Sequence, residues 1–184
     1  MSVVQKATEW RRHIHQYPEL STKEFKTSEF VADKLEEFGL DVHRNIGGTG
    51  VVGILKKGTS DRSIGLRADM DALAIHEQNR FEHKSRSDGV MHACGHDGHT
   101  AMLLGAAHEL AQNPSFDGTV YFIFQPDEER GTGAKAMIAD GLFTRWSIDA
   151  VYGMHNLPGV PVGKFATRPG ALMASESAFK IVVR

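Results

Sequence analysis

The chain has 184 residues, 41% hydrophobic and 24% charged, with a formal net charge of −2. That length suits one domain, or one domain and the start of another, and the near-neutral balance gives no reason to expect nucleic acid or an anionic membrane as partner. A single cysteine excludes an internal disulfide, no apolar run is long enough to span a bilayer, and the first residues lack a signal-peptide core, so a cytoplasmic protein is expected.

Residues 2–16 are predicted to be helical and to stop at Tyr17-Pro18, because the residue before a proline is driven out of the helical region. Ser21 and Glu24 have the spacing of a capping box. Phe25, Val31, Ala32, Leu35 and Phe38 follow on one helical face, and Gly39 supplies the stop. Short strands fit Asp41–Arg44 and Val51–Leu55, with a turn at Lys57-Gly58. Ser63–Ala68 reads as a buried strand leading into Asp69-Met70-Asp71. Residues 97–112 read as a helix buried on most sides. Thr119–Phe124 is the strongest strand, stopped by Gln125-Pro126. A helix over Gly133–Asp140 ends at Gly141, and Asp149–Met154 is another strand. Alternating strands and helices place the chain in the α/β class, with a mainly parallel sheet covered by helices on both faces. Gly163–Ala166 and Ala178–Val183 read as further strands, the last with no turn signal after it.

The chemistry concentrates in His92-Ala93-Cys94-Gly95-His96-Asp97-Gly98-His99, which holds the only cysteine and three of the ten histidines. Cys94 and His96, two positions apart, can bind one ion or one each of a close pair. Glu128-Glu129 end one apolar run and His155 ends another. Ligands of an open parallel sheet bind beyond the carboxyl ends of its strands. Asp69 and Asp71, Glu128 and Glu129, and His155 all fall there, and Cys94–His96 lie in the loop before the buried helix. Cys, His and Glu converging on one place indicate a transition-metal site. The adjacent glutamates point to hydrolysis, since one can ligate while the other takes a proton from metal-activated water. Asp71 belongs with that catalytic machinery as the carboxylate that accepts an imidazole N–H and fixes a ligand's tautomer. His92 and His99 read as loop or helix-capping residues. His13, His15, His43, His76, His83 and His108 read as surface or structural ones.

Six segments resemble the aminoacylase/carboxypeptidase-type metallo-amidohydrolases, a family that includes hippurate hydrolases, indole-3-acetyl-amino-acid hydrolases and N-acyl-amino-acid deacylases. They are Arg11–Leu20, Leu66–Leu73, His92–His99, Phe124–Glu129, Gly153–Asn156 and Gly170–Ser175, in order along the chain. The resemblance implies a zinc-peptidase-like catalytic domain and two divalent ions, commonly zinc, manganese, cobalt or nickel. It implies Cys94 as a bridging ligand, His96, Glu129 and His155 as further ligands, and Glu128 as general acid/base. The substrate it implies is an N-acyl amino acid. Where the family usually has Ala, this chain has Asp127, a negative charge that either raises the pKa of the neighbouring base or faces solvent.

The family also carries a lid and dimerisation domain inserted in the catalytic domain, with a distal histidine ligand beyond it. Residues 1–172 are therefore expected to be the N-terminal part of the catalytic domain and 173–184 the start of a truncated α+β lid, an incomplete and inactive portion of a homo-oligomeric enzyme. Two rivals come from other classes. One is a non-catalytic metal-binding fragment, or an assembly partner needing the rest of the polypeptide, but a purely structural site has no use for the spare carboxylate of Glu128. A thiol or redox enzyme built on Cys94 lacks a resolving cysteine.

Overall fold

Two helices open the chain, and each starts where side chains satisfy its first backbone N–H groups. The computed structural model describes residues 1–175, 179 and 181–183. Helix α1 (Val3–Gln16) begins at a capping box in which Ser2 Oγ accepts from Gln5 N and Gln5 Oε1 accepts from Ser2 N. Helix α2 (Phe25–Glu37) does not begin at the box expected of Ser21 and Glu24. Ser21 donates to Asp71, Glu24 is buried, and Glu19 accepts the N–H groups of Lys26 and Thr27 instead. Partners distant in sequence outcompete the local pairing. Val31, Ala32 and Leu35 are buried as the apolar face requires, whereas Phe25 is exposed.

Strands β1 (Asp41–Ile46), β2 (Gly50–Lys57), β3 (Ser63–Asp69), β4 (Gly118–Gln125) and β5 (Ala150–Gly153) form one sheet in the order β1-β2-β4-β3-β5. Helix α3 (His96–Gln112) precedes β4, and α4 (Gly133–Ala139) and the single-turn α5 (Leu142–Arg145), absent from the sequence expectation, precede β5. β2 is antiparallel to both neighbours, while β4, β3 and β5 are mutually parallel. Four of the five strands therefore point the same way. Only β2 is reversed, because the short link from Ile46 to Gly50 permits a hairpin but no crossover.

β4 is the centre of the molecule, and its continuous apolar run serves two cores. Val120, Phe122 and Phe124 pack with Trp10, Val31, Leu35, Ala101 and Leu104, so α1, α2 and α3 cover one face. Tyr121 and Ile123 pack with Val52, Met137 and Leu142, so α4 and α5 cover the other. Each of these large apolar side chains contributes about 1.5–3 kcal/mol when fully buried. On α3 the buried stripe is Ala101, Leu103, Leu104 and Ala107, but Met102 is exposed.

β5 pairs with β3 alone among the described residues, and Val151 and Tyr152 on it are exposed. An apolar groove lies on each face of β5, one lined by Ile123, Met137 and Val151, the other by Leu66, Met102 and Tyr152. Gly163–Ala166, expected as a strand, is irregular and exposed, because it finds no ladder partner among the described residues. The strand expected over Ala178–Val183 rests partly on residues outside the described set. Among the described residues no helix is long and apolar enough to cross a membrane.

Candidate metal centre

Because β3, β4 and β5 are parallel, their carboxyl ends meet on one side of the sheet. β3 ends in Asp69 and runs on to Asp71, β4 runs on to Glu128 and Glu129, and β5 runs on to His155. The first turn of α3 brings His96 to the same side. Gly95 precedes it in the left-handed region with φ 96°, and a Cβ there would collide with the Asn156 side chain.

The six residues expected at the site come together. Cys94 Sγ lies 3.3 Å from His155 Nε2. His96 Nε2 lies 3.6 Å from Glu129 Oε1 and 3.7 Å from both Glu128 Oε2 and Asp69 Oδ2. His96 Nδ1 is 3.4 Å from Asp71 Oδ1. Cys94, His96 and His155 offer ligand atoms within 4.8 Å of one another, as do Asp69, His96 and His99, and His96, Glu128 and Glu129. His96 is common to all three groups.

Several features of this geometry fit a cation. His96 is fully buried, yet neither ring nitrogen has a hydrogen bond among the described residues. A buried polar atom without a partner is costly, and a cation between Nε2 and the facing carboxylates removes that cost. His155 Nδ1 is 2.7 Å from the Asn156 carbonyl, so Nδ1–H donates there and Nε2 keeps its lone pair toward Cys94. Thiolate, imidazole and carboxylate together are the donor set of zinc and its first-row neighbours.

The protonation states show the same crowding of negative charge. Burial pushes the Cys94 thiol up to about 12, and Glu129, Glu128 and Asp69 add to it. Burial raises Glu128 as well, with Asp69 and Glu129 adding and His96 and Arg67 opposing. Burial alone would lower His96, but Asp71, Asp69 and Glu129 outweigh it and raise it. Asp71 goes the other way. Burial would raise it, but His96, the Ser21 hydroxyl and the N–H groups of Glu128 and Glu129 hold it well below the usual carboxylate range.

Asp71 thus reaches further than one imidazole. Oδ2 accepts from Ser21 Oγ at 2.6 Å and from Glu129 N at 3.1 Å, and Oδ1 accepts from Glu128 N at 3.0 Å. Asp127, the departure from the family pattern, does not face solvent. It is buried, its carboxylate takes the Thr132 hydroxyl, and its φ of 51° is a left-handed conformation that Asp tolerates.

Other polar residues were not visible as site neighbours in the sequence. His99 Nδ1 lies 2.6 Å from Asp69 Oδ1, and its Nε2 meets Asn156, so His99 braces the segment that carries His155. His92 is buried, neither ring nitrogen has a hydrogen bond among the described residues, and burial brings its pKa down to about 4. His15, one of the histidines read as surface or structural, is a buried structural group. Its Nδ1 is 2.9 Å from Asp97 Oδ2 and its Nε2 is 3.0 Å from Glu77 Oε1, and Arg11 also reaches Asp97. Nothing in the local sequence marks a carboxylate partner so far along the chain.

Stability should follow this triad with pH. The Asp97 hydrogen bond raises His15, burial opposes, and Glu77 adds, so its folded pKa lies above the ordinary 6.5. A raised pKa stabilises fully below the unfolded value and is lost as pH rises through the folded one. His15→Gln is therefore expected to cost about 1–3 kcal/mol near pH 6 and clearly less near pH 9. Urea unfolding at the two pH values measures the difference. An equal or larger cost at pH 9 would show that the imidazolium is not what ties α1 to α3.

A profile of the peptidase family M20/M25/M40 matches residues 65–183. Hippurate hydrolase of Campylobacter jejuni is 53% identical over 173 residues, covering 94% of this chain and 45% of that protein. N-acetyl-L-cysteine deacetylase of Bacillus subtilis is 45% identical over 174 residues, covering 94% of this chain and 41% of that protein. The crystal structure of a Bacillus subtilis dinuclear metal-binding peptidase superposes with a TM-score of 0.82 at 41% identity, covering 88% of this chain and 45% of that one. The chain spans less than half the length of these relatives. With its sheet, its strand-end donor set and these matches in agreement, it belongs to the peptidase family M20/M25/M40.

Proposed function

We propose that the chain is the metal-holding part of a hydrolase that cleaves the amide bond of N-acyl amino acids. The observation that carries this reading is the buried, unbonded His96 facing two adjacent glutamates, beside a thiol–imidazole pair. One glutamate suffices as a ligand, so the other is free for proton transfer, and a purely structural metal site gives no reason for it. Relatives named for hippurate and for N-acetyl-L-cysteine support the substrate class, since both compounds are N-acyl amino acids.

In this reading Cys94, His96, Glu129 and His155 would hold two divalent ions. Zinc, manganese, cobalt and nickel all suit the donors. Bound there, the ions supply Lewis acidity that acidifies water and polarises the acyl carbonyl. Glu128 accepts the proton of the attacking water and delivers it to the departing amino nitrogen, giving a carboxylic acid and a free amino acid. Asp71 fixes the amides of both glutamates and faces His96, so one carboxylate positions base and ligand together.

The domain reading belongs to the same proposal. Residues 1–172 are the N-terminal part of the catalytic domain, and 173–184 begin a lid and dimerisation domain. The isolated chain is then inactive, and the longer polypeptide is a cytoplasmic homo-oligomer.

Elemental analysis tests the ligands directly. Cys94→Ser replaces a thiolate by a neutral hydroxyl and His155→Ala removes a nitrogen, so each is expected to lower bound metal by about tenfold or more in affinity. Unchanged metal content in both variants would sink the assignment.

A further inference from the structure

Three successive N–H groups after β4 donate to carboxylates from distant parts of the chain. Glu128 N and Glu129 N donate to Asp71, and Asp127 N donates to Glu24 Oε1 at 2.9 Å. Asp71 belongs to the site already described, whereas Glu24 comes from the loop before α2.

Glu24 is fully buried and forms no ion pair among the described residues. Neutral donors take the place of water. Besides Asp127 N, Oε1 accepts from Thr22 N at 3.0 Å, and Oε2 accepts from the Thr49 hydroxyl at 2.6 Å. Glu24 stands at the N-cap of α2, but its side chain makes no capping bond there. Glu19 performs that task, taking Lys26 N at 3.2 Å and Thr27 N at 2.8 Å. Glu24 thus ties the turn after β4 to Thr22 and Thr49, one bond to each.

That turn is tightly drawn. Asp127 is left-handed, its carboxylate takes the Thr132 hydroxyl, and its carbonyl accepts Gly133 N at 3.1 Å. A Cβ on Gly133 would collide with the Pro126 carbonyl.

We propose that Glu24 is a positioning residue of the metal centre. Through Asp127 N–H it sets the path of the backbone into Glu128 and Glu129, and with it the placement of one ligand and one base. The proposal rests on the metal reading above, so its test has one readout that needs no metal.

Glu24→Gln keeps the size and one acceptor oxygen but removes the charge. Thr49→Val removes the hydroxyl that holds Glu24 Oε2 and carries the test if Glu24→Gln does not fold. Glu19→Gln weakens the start of α2 without touching the turn. Amide hydrogen exchange at residues 127–129 is measured in the metal-free protein. Cobalt affinity and the near-ultraviolet Cys94–cobalt absorption are measured by titration. Glu24→Gln and Thr49→Val are expected to lose about tenfold in protection at 127–129 and about tenfold in cobalt affinity. Glu19→Gln is expected to lower thermal stability with both readouts unchanged. Wild-type protection and wild-type cobalt affinity in Glu24→Gln and Thr49→Val would overturn the proposal and leave Glu24 a buried structural group. If the unmutated protein binds no cobalt, the metal reading fails and the purpose assigned to Glu24 fails with it. The exchange data would still show, separately, whether Glu24 pins the turn.

Discussion

In a polypeptide of the relatives' full length, Glu128→Gln is expected to keep its metal and lose about 100- to 10,000-fold in turnover, the range for removing a general base. The amide is nearly isosteric with the carboxylate. The N–H of residue 128 still donates to Asp71, so the turn keeps its shape. What disappears is the capacity to take a proton beside His96 and Glu129. Turnover on hippurate together with metal content separates the possibilities. Near-normal turnover would transfer the base to another group, with Asp69, also 3.7 Å from His96, the first to examine. Loss of metal along with activity would make Glu128 a ligand.

The second large effect is on folding. Asp71→Ala strips the acceptor from the Ser21 hydroxyl and from the N–H groups of Glu128 and Glu129. A buried donor left unsatisfied costs about 1–3 kcal/mol, and these three are only part-buried, so together they should remove about 2–3 kcal/mol. Against the usual domain stability of about 5–15 kcal/mol, that is severe. Denaturant unfolding should show the midpoint falling sharply in Asp71→Ala and much less in Asp71→Asn, which retains an acceptor oxygen. A loss below about 1 kcal/mol in Asp71→Ala would mean that water or a rearranged turn satisfies these donors.

The sequence was most legible where chemistry and periodicity coincided. Thr119–Phe124 announces a strand buried on both faces, and β4 is that strand, dividing Phe122 and Phe124 from Tyr121 and Ile123. Carboxylates and histidines placed directly after such runs converge, because parallel strands deliver their ends to one side of the sheet. The pairing of side chains far apart in the chain was not legible. Ser21 and Glu24 have the spacing of a capping box, yet each is claimed by a residue far along the chain, Asp71 and Asp127. Local spacing carries no information about such competitors. His15 likewise reads as one histidine among ten, and only the packing of α1 against α3 brings Asp97 to it. The expected strand at Gly163–Ala166 joins neither edge of the sheet among the described residues, and propensity alone does not make a ladder.

β5 has a consequence for how tightly the site can hold anything. It is four residues long, paired on one side only among the described residues, largely exposed, and it leads into His155. Short edge elements of this kind sit at the low end of local unfolding free energies. His155 faces Cys94 only in the fraction of molecules whose β5 is docked. The apparent affinity of any ion that needs both residues is the intrinsic affinity reduced by that fraction. A strand added to the free edge of β5, or apolar side chains seated in its two grooves, would raise that fraction toward unity. Affinity at the centre is thus set partly by an equilibrium at the rim of the sheet.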